Sequence, residues 1–255
     1  MLESLFSLEG QVAVVTGASQ GIGKAVAIGL AKAGADVLVN YRSDLAGAED
    51  TARQIEELGK RALIFKANVA DRDEVKAMAE KTIAEFGKVD ILVNNAGIAK
   101  NKAAEEMDNE TWNRILGVNL DGTYHCCVEF GKYMVERKQG KIINFSSICG
   151  VTIVRNDCQI AYHASKGGVV MLTKALAEEW SKYNIRVNMV APGYTRTKMC
   201  PTGPKDKNVI PLGRMAEPEE MVGTVIYLAS DASSYVIGQQ IIVDGGYTIC
   251  GSSAK

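Results

Sequence analysis

Short apolar runs alternate with longer segments of helical period along the chain. The runs are QVAVVTG (11–17), ADVLVNYR (35–42), RALIFKANV (61–69), VDILVNNAG (89–97), KIINFSS (141–147), IRVNMVAPG (185–193) and QQIIVDGG (239–246). Between them lie segments such as AGAEDTARQIEELGK and RDEVKAMAEKTIAEFGK, in which apolar positions recur every three or four residues. Runs rich in Val and Ile that are apolar on both faces and separated by helices predict a parallel sheet covered on both sides. The expected architecture is a doubly wound (Rossmann) α/β fold of about seven strands. No internal repeat, low-complexity tract or Pro/Ser-rich linker interrupts it, so one domain over residues 1–255 is expected. In such sheets ligands bind beyond the carboxyl ends of the strands, and the residues just after each run are the candidates for chemistry.

Charge narrows the partners. Lys plus Arg number 29 against 30 Asp plus Glu, so no sequence-wide field favours nucleic acid or an anionic membrane, and a small-molecule ligand fits better. The first residues, MLESLFSLEG, carry early acid and no basic segment leading an apolar stretch, and no run of about 18 apolar residues occurs. The expectation is a soluble, cytoplasmic protein. Cys126, Cys127, Cys149, Cys158, Cys200 and Cys250 show no paired spacing, and His125 and His163 are the two histidines, a pattern of buried reduced thiols rather than of a metal site.

The stretch TGASQGIG (16–23) follows a strand and opens a helix, the setting that a phosphate loop requires. Gly17 permits a tight exit turn, Gly21 a close approach of backbone to a pyrophosphate, and Gly23 close packing of helix on strand. Lys24 places a cation in the first helical turn, against the helix dipole unless an anion lies nearby. A glycine turn without a ligand is the alternative. At the end of the second run VNYRS holds Tyr41, Arg42 and Ser43, with no acid to accept ribose hydroxyls. An Arg fork clasps a 2′-phosphate, so Arg42 predicts a preference for NADP, with NAD possible; a solvated strand-end charge is the alternative reading.

YHASK places Tyr162 and Lys166 four residues apart, on one helix face. A nearby ammonium favours phenolate and is expected to lower the phenol's pKa. Ser147, fifteen residues before the tyrosine at a strand end, is placed to hydrogen-bond a carbonyl or alcohol oxygen. Asn119, in GVNLDG, is expected to bend its helix and carry a proton-relay water toward Lys166. Alone, a Tyr–Lys pair at this spacing also suits an exposed helix surface.

Together, TGASQGIG, NNAG (94–97), Asn119 in GVNLDG, Ser147 in SSICG, Tyr162 and Lys166 in YHASK, and PGYTRT (192–197) resemble the short-chain dehydrogenase/reductase family over essentially the whole chain. The resemblance implies an Asn119–Ser147–Tyr162–Lys166 tetrad, with Tyr162 as general acid in reduction and base in oxidation. Ser147 then holds the substrate oxygen, Lys166 binds nicotinamide ribose and Asn119 anchors the relay, with no metal. It implies cofactor contacts from Gly17, Ser19, Gln20, Gly21, Ile22 and Gly23, from Tyr41, Arg42 and Ser43, from Asn68 and Val69, and from Asn95, Ala96 and Gly97. Tyr162, Lys166, Pro192, Gly193, Thr195 and Thr197 complete that set. Asn68 stands where the family usually has Asp, and Gln20 where NADP-using relatives are often basic. Relatives are commonly homotetramers built on helices such as those around 108–136 and 160–182. Trp112, Ile115, Val118, Val169, Leu172 and Leu176 serve either such an interface or the core.

For substrate, the segment after Gly193 is short, and the loop between Ser147 and Tyr162 offers Arg155, Asn156, Asp157 and Gln159 as polar wall residues or merely solvated ones. The late motifs most resemble sugar and polyol dehydrogenases, implying reversible reduction of a ketose or keto-sugar acid. A 3-oxoacyl-acyl carrier protein reductase is the second reading, and a non-catalytic dinucleotide-binding sensor or scaffold the third.

Overall fold

A computed structural model describes residues 2–154, 159–204 and 207–250. Seven strands form in the expected order: β1 (Val12–Val15), β2 (Asp36–Tyr41), β3 (Ala62–Lys66), β4 (Ile91–Asn94), β5 (Gly140–Phe145), β6 (Ile185–Pro192) and β7 (Gln240–Val243). They pair in parallel throughout, in the order β3-β2-β1-β4-β5-β6-β7. The helices are α1 (Leu2–Phe6), α2 (Gly21–Lys32), α3 (Leu45–Glu56), α4 (Arg72–Phe86), α5 (Asn109–Leu116), α6 (Gly122–Arg137), α7 (Ile160–Trp180) and α8 (Val222–Ala229).

The five inner strands are buried on both faces, the edge strands β3 and β7 less so, and the period of two divides the core into two layers. Ala13, Val15, Val37, Val39, Val93 and Phe145 pack with Val26 and Leu30 of α2, Ile55 of α3 and Leu228 of α8. Val14, Leu38, Leu92, Ile142 and Val187 turn the other way, onto Met78 of α4, Phe130 and Met134 of α6 and Leu176 of α7. Local chemistry sets the helix ends. Asp44 caps α3 by accepting from the Gly47 amide at 3.0 Å, and Asp71 caps α4 by accepting from Asp73 and Glu74 at 2.9 and 3.2 Å. Gly87 closes α4 in the left-handed region, at φ 78°.

Ile115, Val118, Val169 and Leu176, open to two readings in sequence, are buried within this chain, while Trp112 and Leu172 are half-buried. The sheet order reverses direction between β1 and β4, and the crevice that opens over the strand ends there is the site described next.

Candidate active site

A cleft of about 430 Å³ runs across the carboxyl ends of the strands. At one end, Gly17 and Gly21 adopt φ of +63° and +55°, which disfavours side chains there. A Cβ on Gly23 would lie 2.3 Å from the Gly17 carbonyl oxygen, so the loop admits no side chain at that position. Side chains from neighbouring strand ends lock the loop. The Gly17 amide donates to Asn40 Oδ1 at 3.1 Å, and Asn95 Nδ2 donates to the carbonyls of Thr16 and Gly17 at 2.9 and 3.2 Å. Helix α2 starts at Gly21 without a side-chain cap, leaving its first-turn amides directed at the loop, a cradle suited to a dinucleotide pyrophosphate.

Ser19, Gln20, Ile22, Arg42, Ser43, Asn68, Val69, Ala96 and Gly97 line the cleft as expected. Arg42 is exposed and makes no ion pair or hydrogen bond among the described residues. Asn68 retains a polar role at its turn, its Oδ1 accepting from the Ala70 amide at 3.3 Å. Two expectations at this end are corrected. Tyr41 does not line the cleft: it shares a strand face with Val37 and Val39 and packs on the core, so its neighbour Asn40 faces the site instead. Lys24 is no sign of a bound phosphate, because the anion beside it is the Asp50 carboxylate of α3.

At the other end, Ser147 follows β5 while Tyr162 and Lys166 stand one turn apart on α7. Ser147 Oγ accepts from the Cys149 amide at 3.1 Å, which leaves its hydroxyl proton to donate toward the Tyr162 oxygen. Lys166 Nζ donates to the Phe145 carbonyl at 2.8 Å and lies 5.6 Å from the Tyr162 ring centroid. Asn119 sits in a π-turn, Gly117–Asp121, between α5 and α6, which is the expected irregularity in the helix.

Its side chain is buried and does not line the cleft. It clamps the chain after β4 instead, pairing with the amide and carbonyl of Ile98 at 2.8 and 2.9 Å. It also donates to Ser165 Oγ at 3.0 Å, and Ser165 donates to the Tyr162 carbonyl at 2.8 Å. A Cβ on Gly97 would stand 3.4 Å from Asn119 Oδ1 and 3.6 Å from Lys166 Nζ, so the three residues converge. Asn119 is a positioning residue for Tyr162 and Lys166.

Burial pushes the Tyr162 phenol well above its ordinary value, the neighbouring Cys149 adds to this, and the Ser147 hydrogen bond opposes it. The expected lowering is therefore reversed: loss of water around the phenolate prevails. Burial brings the Lys166 ammonium down to about 8. Both groups resist charging, and the phenol is held protonated at neutral pH.

The wall beyond Ser147 is lined by Ile148, Cys149, Val154, Gln159, Met199 and Cys200. Gln159 Nε2 donates to Asn101 Oδ1 at 2.6 Å. His163 ties this wall down, accepting the Val154 amide at 3.2 Å on Nε2 and bonding the Gln159 carbonyl at 2.9 Å through Nδ1. Arg155, Asn156 and Asp157, expected in the same wall, lie outside the described residues. Pro192, Gly193, Thr195 and Thr197 line the cleft, and a Cβ on Gly21 would lie 3.2 Å from the Thr197 methyl, so this segment covers the glycine loop. Lys198 and Asp44 approach to 4.0 Å across the mouth.

Sequence reasoning missed Asn40, Asp44 and Lys198 in the cleft lining and Asn101 as the partner of Gln159. For Asn40 a signal existed: an amide inside an apolar strand, DVLVNY, must find buried partners, and here they are the Gly17 amide and the carbonyls of Phe65 and Ala67.

The family model described as "Enoyl-(Acyl carrier protein) reductase" matches residues 17–248. A 3-oxoacyl-[acyl-carrier-protein] reductase of Thermotoga maritima is 40% identical over 95% of this chain and 99% of its own. A 2-dehydro-3-deoxy-D-gluconate 5-dehydrogenase of Pseudoalteromonas atlantica is 39% identical over 97% and 99%. Among solved structures, a gluconate 5-dehydrogenase of Burkholderia cenocepacia in complex with NADP and tartrate superposes with a TM-score of 0.92 at 35% identity, covering 98% of this chain and 100% of that one. The glycine cradle and the Tyr162–Lys166 pair thus stand in a fold shared with these oxidoreductases over nearly its full length, and the chain belongs to the short-chain dehydrogenase/reductase family, whose members act on CH–OH and carbonyl groups.

Proposed function

We propose that the protein is an NADP-dependent oxidoreductase that reversibly reduces a ketose or keto-sugar acid to the polyol or hydroxy acid. The observation that carries the reading is the joining, in one cleft, of a side-chain-free phosphate cradle with the Ser147–Tyr162–Lys166 constellation. The cofactor fits residues Gly17–Gly23 at its pyrophosphate, Arg42 and Ser43 at a 2′-phosphate, and Gly97, Lys166, Thr195 and Thr197 toward its nicotinamide. When bound it supplies or accepts hydride. The Ser147 hydroxyl donates to the substrate oxygen, and Tyr162, held protonated by burial, delivers the proton as negative charge develops there. Lys166 balances the phenolate left behind, and Asn119 keeps both groups in place through Ile98 and Ser165. Gln159, hydrogen-bonded to Asn101, offers hydrogen-bonding groups to hydroxyls, while Val154 and Met199 suit the carbon face of a small polyol.

The similarity to the Thermotoga reductase favours a second reading, reduction of a 3-oxoacyl thioester. Oxidation of NADPH and of NADH, followed by absorbance against fructose, sorbose, 5-ketogluconate and an acetoacetyl thioester, decides between them. The expected result is a rate with NADPH and a sugar; a rate confined to the thioester overturns the sugar reading. We place the enzyme in the cytoplasm as a single-domain homotetramer, a reading in keeping with the exposed Met171 beside half-buried Leu172 on α7. Light scattering that returned a monomer would refute the assembly.

A further inference from the structure

His163 follows Tyr162 in the chain, yet its side chain does not line the cleft. It is half-buried, and both ring nitrogens are engaged by residues of the wall beyond Ser147. Nε2 lies 3.2 Å from the Val154 amide nitrogen, and Nδ1 lies 2.9 Å from the Gln159 carbonyl oxygen. These partners fix the proton on the ring. A backbone amide can only donate, so Nε2 carries a lone pair; a carbonyl can only accept, so Nδ1 carries the hydrogen. The imidazolium would set an N–H against the Val154 N–H, and the tautomer with its proton on Nε2 would reverse both bonds. The neutral ring protonated at Nδ1 is the one form that satisfies both partners. With both nitrogens occupied, His163 is no acid or base for the reaction at Tyr162.

The ring instead decides where two cleft-lining residues sit. Val154 is 5% exposed, and without the ring its amide would be a buried donor with no partner among the described residues. Gln159, held through its carbonyl, donates in turn from Nε2 to Asn101 Oδ1 at 2.6 Å. One hydrogen-bonded chain thus joins the segment after β5, the start of α7 and the segment after β4. Val154 and Gln159 both line the cleft.

We propose that His163 is the positioning residue of the substrate wall: as a neutral ring protonated at Nδ1, it clasps Val154 and Gln159 in the arrangement that receives the carbonyl substrate beside Ser147 and Tyr162. Its effect falls on substrate affinity, because its ring bonds reach wall residues and neither the glycine cradle nor Lys166. A contact made equally to bound substrate and to the transition state acts on KM and leaves kcat alone. The kinetic consequence rests on the reductase reading given above, whereas the tautomer follows from the two bonds.

The test compares substitutions in the full-length protein. His163→Phe keeps a ring without either nitrogen, His163→Asn keeps a donor near the Nδ1 position, and His163→Gln places an acceptor near the Nε2 position, where the Val154 amide needs one. Steady-state kinetics use whichever of fructose, sorbose, 5-ketogluconate and the acetoacetyl thioester gives the parent its highest rate with NADPH. His163→Phe and His163→Asn are expected to raise KM for that compound about tenfold or more, with kcat within about threefold of the parent and NADPH affinity unchanged. His163→Gln is expected to recover most of that loss. Nitrogen NMR of the histidine-labelled parent is expected to show Nδ1 protonated and Nε2 bare in the ring signal that His163→Gln lacks. An unchanged KM in His163→Phe, an equal rise in His163→Gln, a parallel fall in NADPH affinity, or a proton on Nε2 overturns the proposal. A parent without carbonyl activity refutes the reductase reading instead, and the ring signal still reports whether the clasp exists.

Discussion

The two ends of the cleft are built on opposite principles. The dinucleotide end is made of backbone: three glycines, the open first turn of α2, and amides from strand ends that lock the loop, with Arg42 exposed at the rim. The other end is made of packed side chains, with Asn119 at 0% and Lys166 at 4% exposure beneath a half-buried Tyr162. A backbone cradle gives affinity for phosphate at low cost, because the first turn of α2 has no side-chain cap to compete for its amides. A buried phenol and ammonium are expensive to desolvate, and each holds its position because neighbouring groups over-determine it. The difference leads to the expectation that cofactor binding and turnover are separable by mutation.

The sharpest way to break that contrast is Tyr162→Phe. Loss of the proton donor is expected to lower kcat by about 10²- to 10⁴-fold, with NADPH affinity retained as read by fluorescence titration. A parallel fall in affinity would show that the two ends are coupled. Lys166→Met comes next. Burial brings Lys166 down to about 8 in the folded protein, against an ordinary value of 10.5 that stands for the unfolded chain, so the unfolded chain binds more protons between these values. Stability of the parent is therefore expected to rise with pH from 8 toward 10, by up to about 3 kcal/mol at one pKa unit per 1.4 kcal/mol, and that rise is expected to vanish in the variant. Urea unfolding across the window measures it, and an unchanged slope would argue that Lys166 is well solvated.

At the dinucleotide end, Arg42→Ala is expected to weaken NADPH about ten- to a hundredfold and leave NADH unchanged, the size of one charge-assisted hydrogen bond of about 1.5–3 kcal/mol. Equal losses for both cofactors would remove the basis for an NADP preference. Asn119→Ala leaves the amide and carbonyl of Ile98 without their side-chain partner. It is expected to cost about 1–3 kcal/mol in thermal unfolding and to lower kcat more than it raises KM for NADPH. An effect on stability alone would reduce Asn119 to a structural clamp.

Much of the fold was legible because strand burial writes itself as Val/Ile runs and the glycine loop needs its residues close together in sequence. Tyr41 was misassigned for the same reason that its strand was recognisable: successive side chains point to opposite faces, and which face carries the site depends on the whole sheet. Asn101 and Gln159 lie 58 residues apart and meet through the fold alone.

From the sequence by itself followed the doubly wound sheet, the order of its strands' functional ends, and the residue types of the cradle and of the Ser147, Tyr162 and Lys166 group, because each is set by local period or by a motif of a few residues. The tertiary structure decided which side of β2 faces the cleft, that Asp50 takes the charge of Lys24, that Asn119 works through Ile98 and Ser165, and that the Tyr162 phenol is raised rather than lowered. Those outcomes turn on distance and on exclusion of water, and both arise when segments far apart in the chain are packed together.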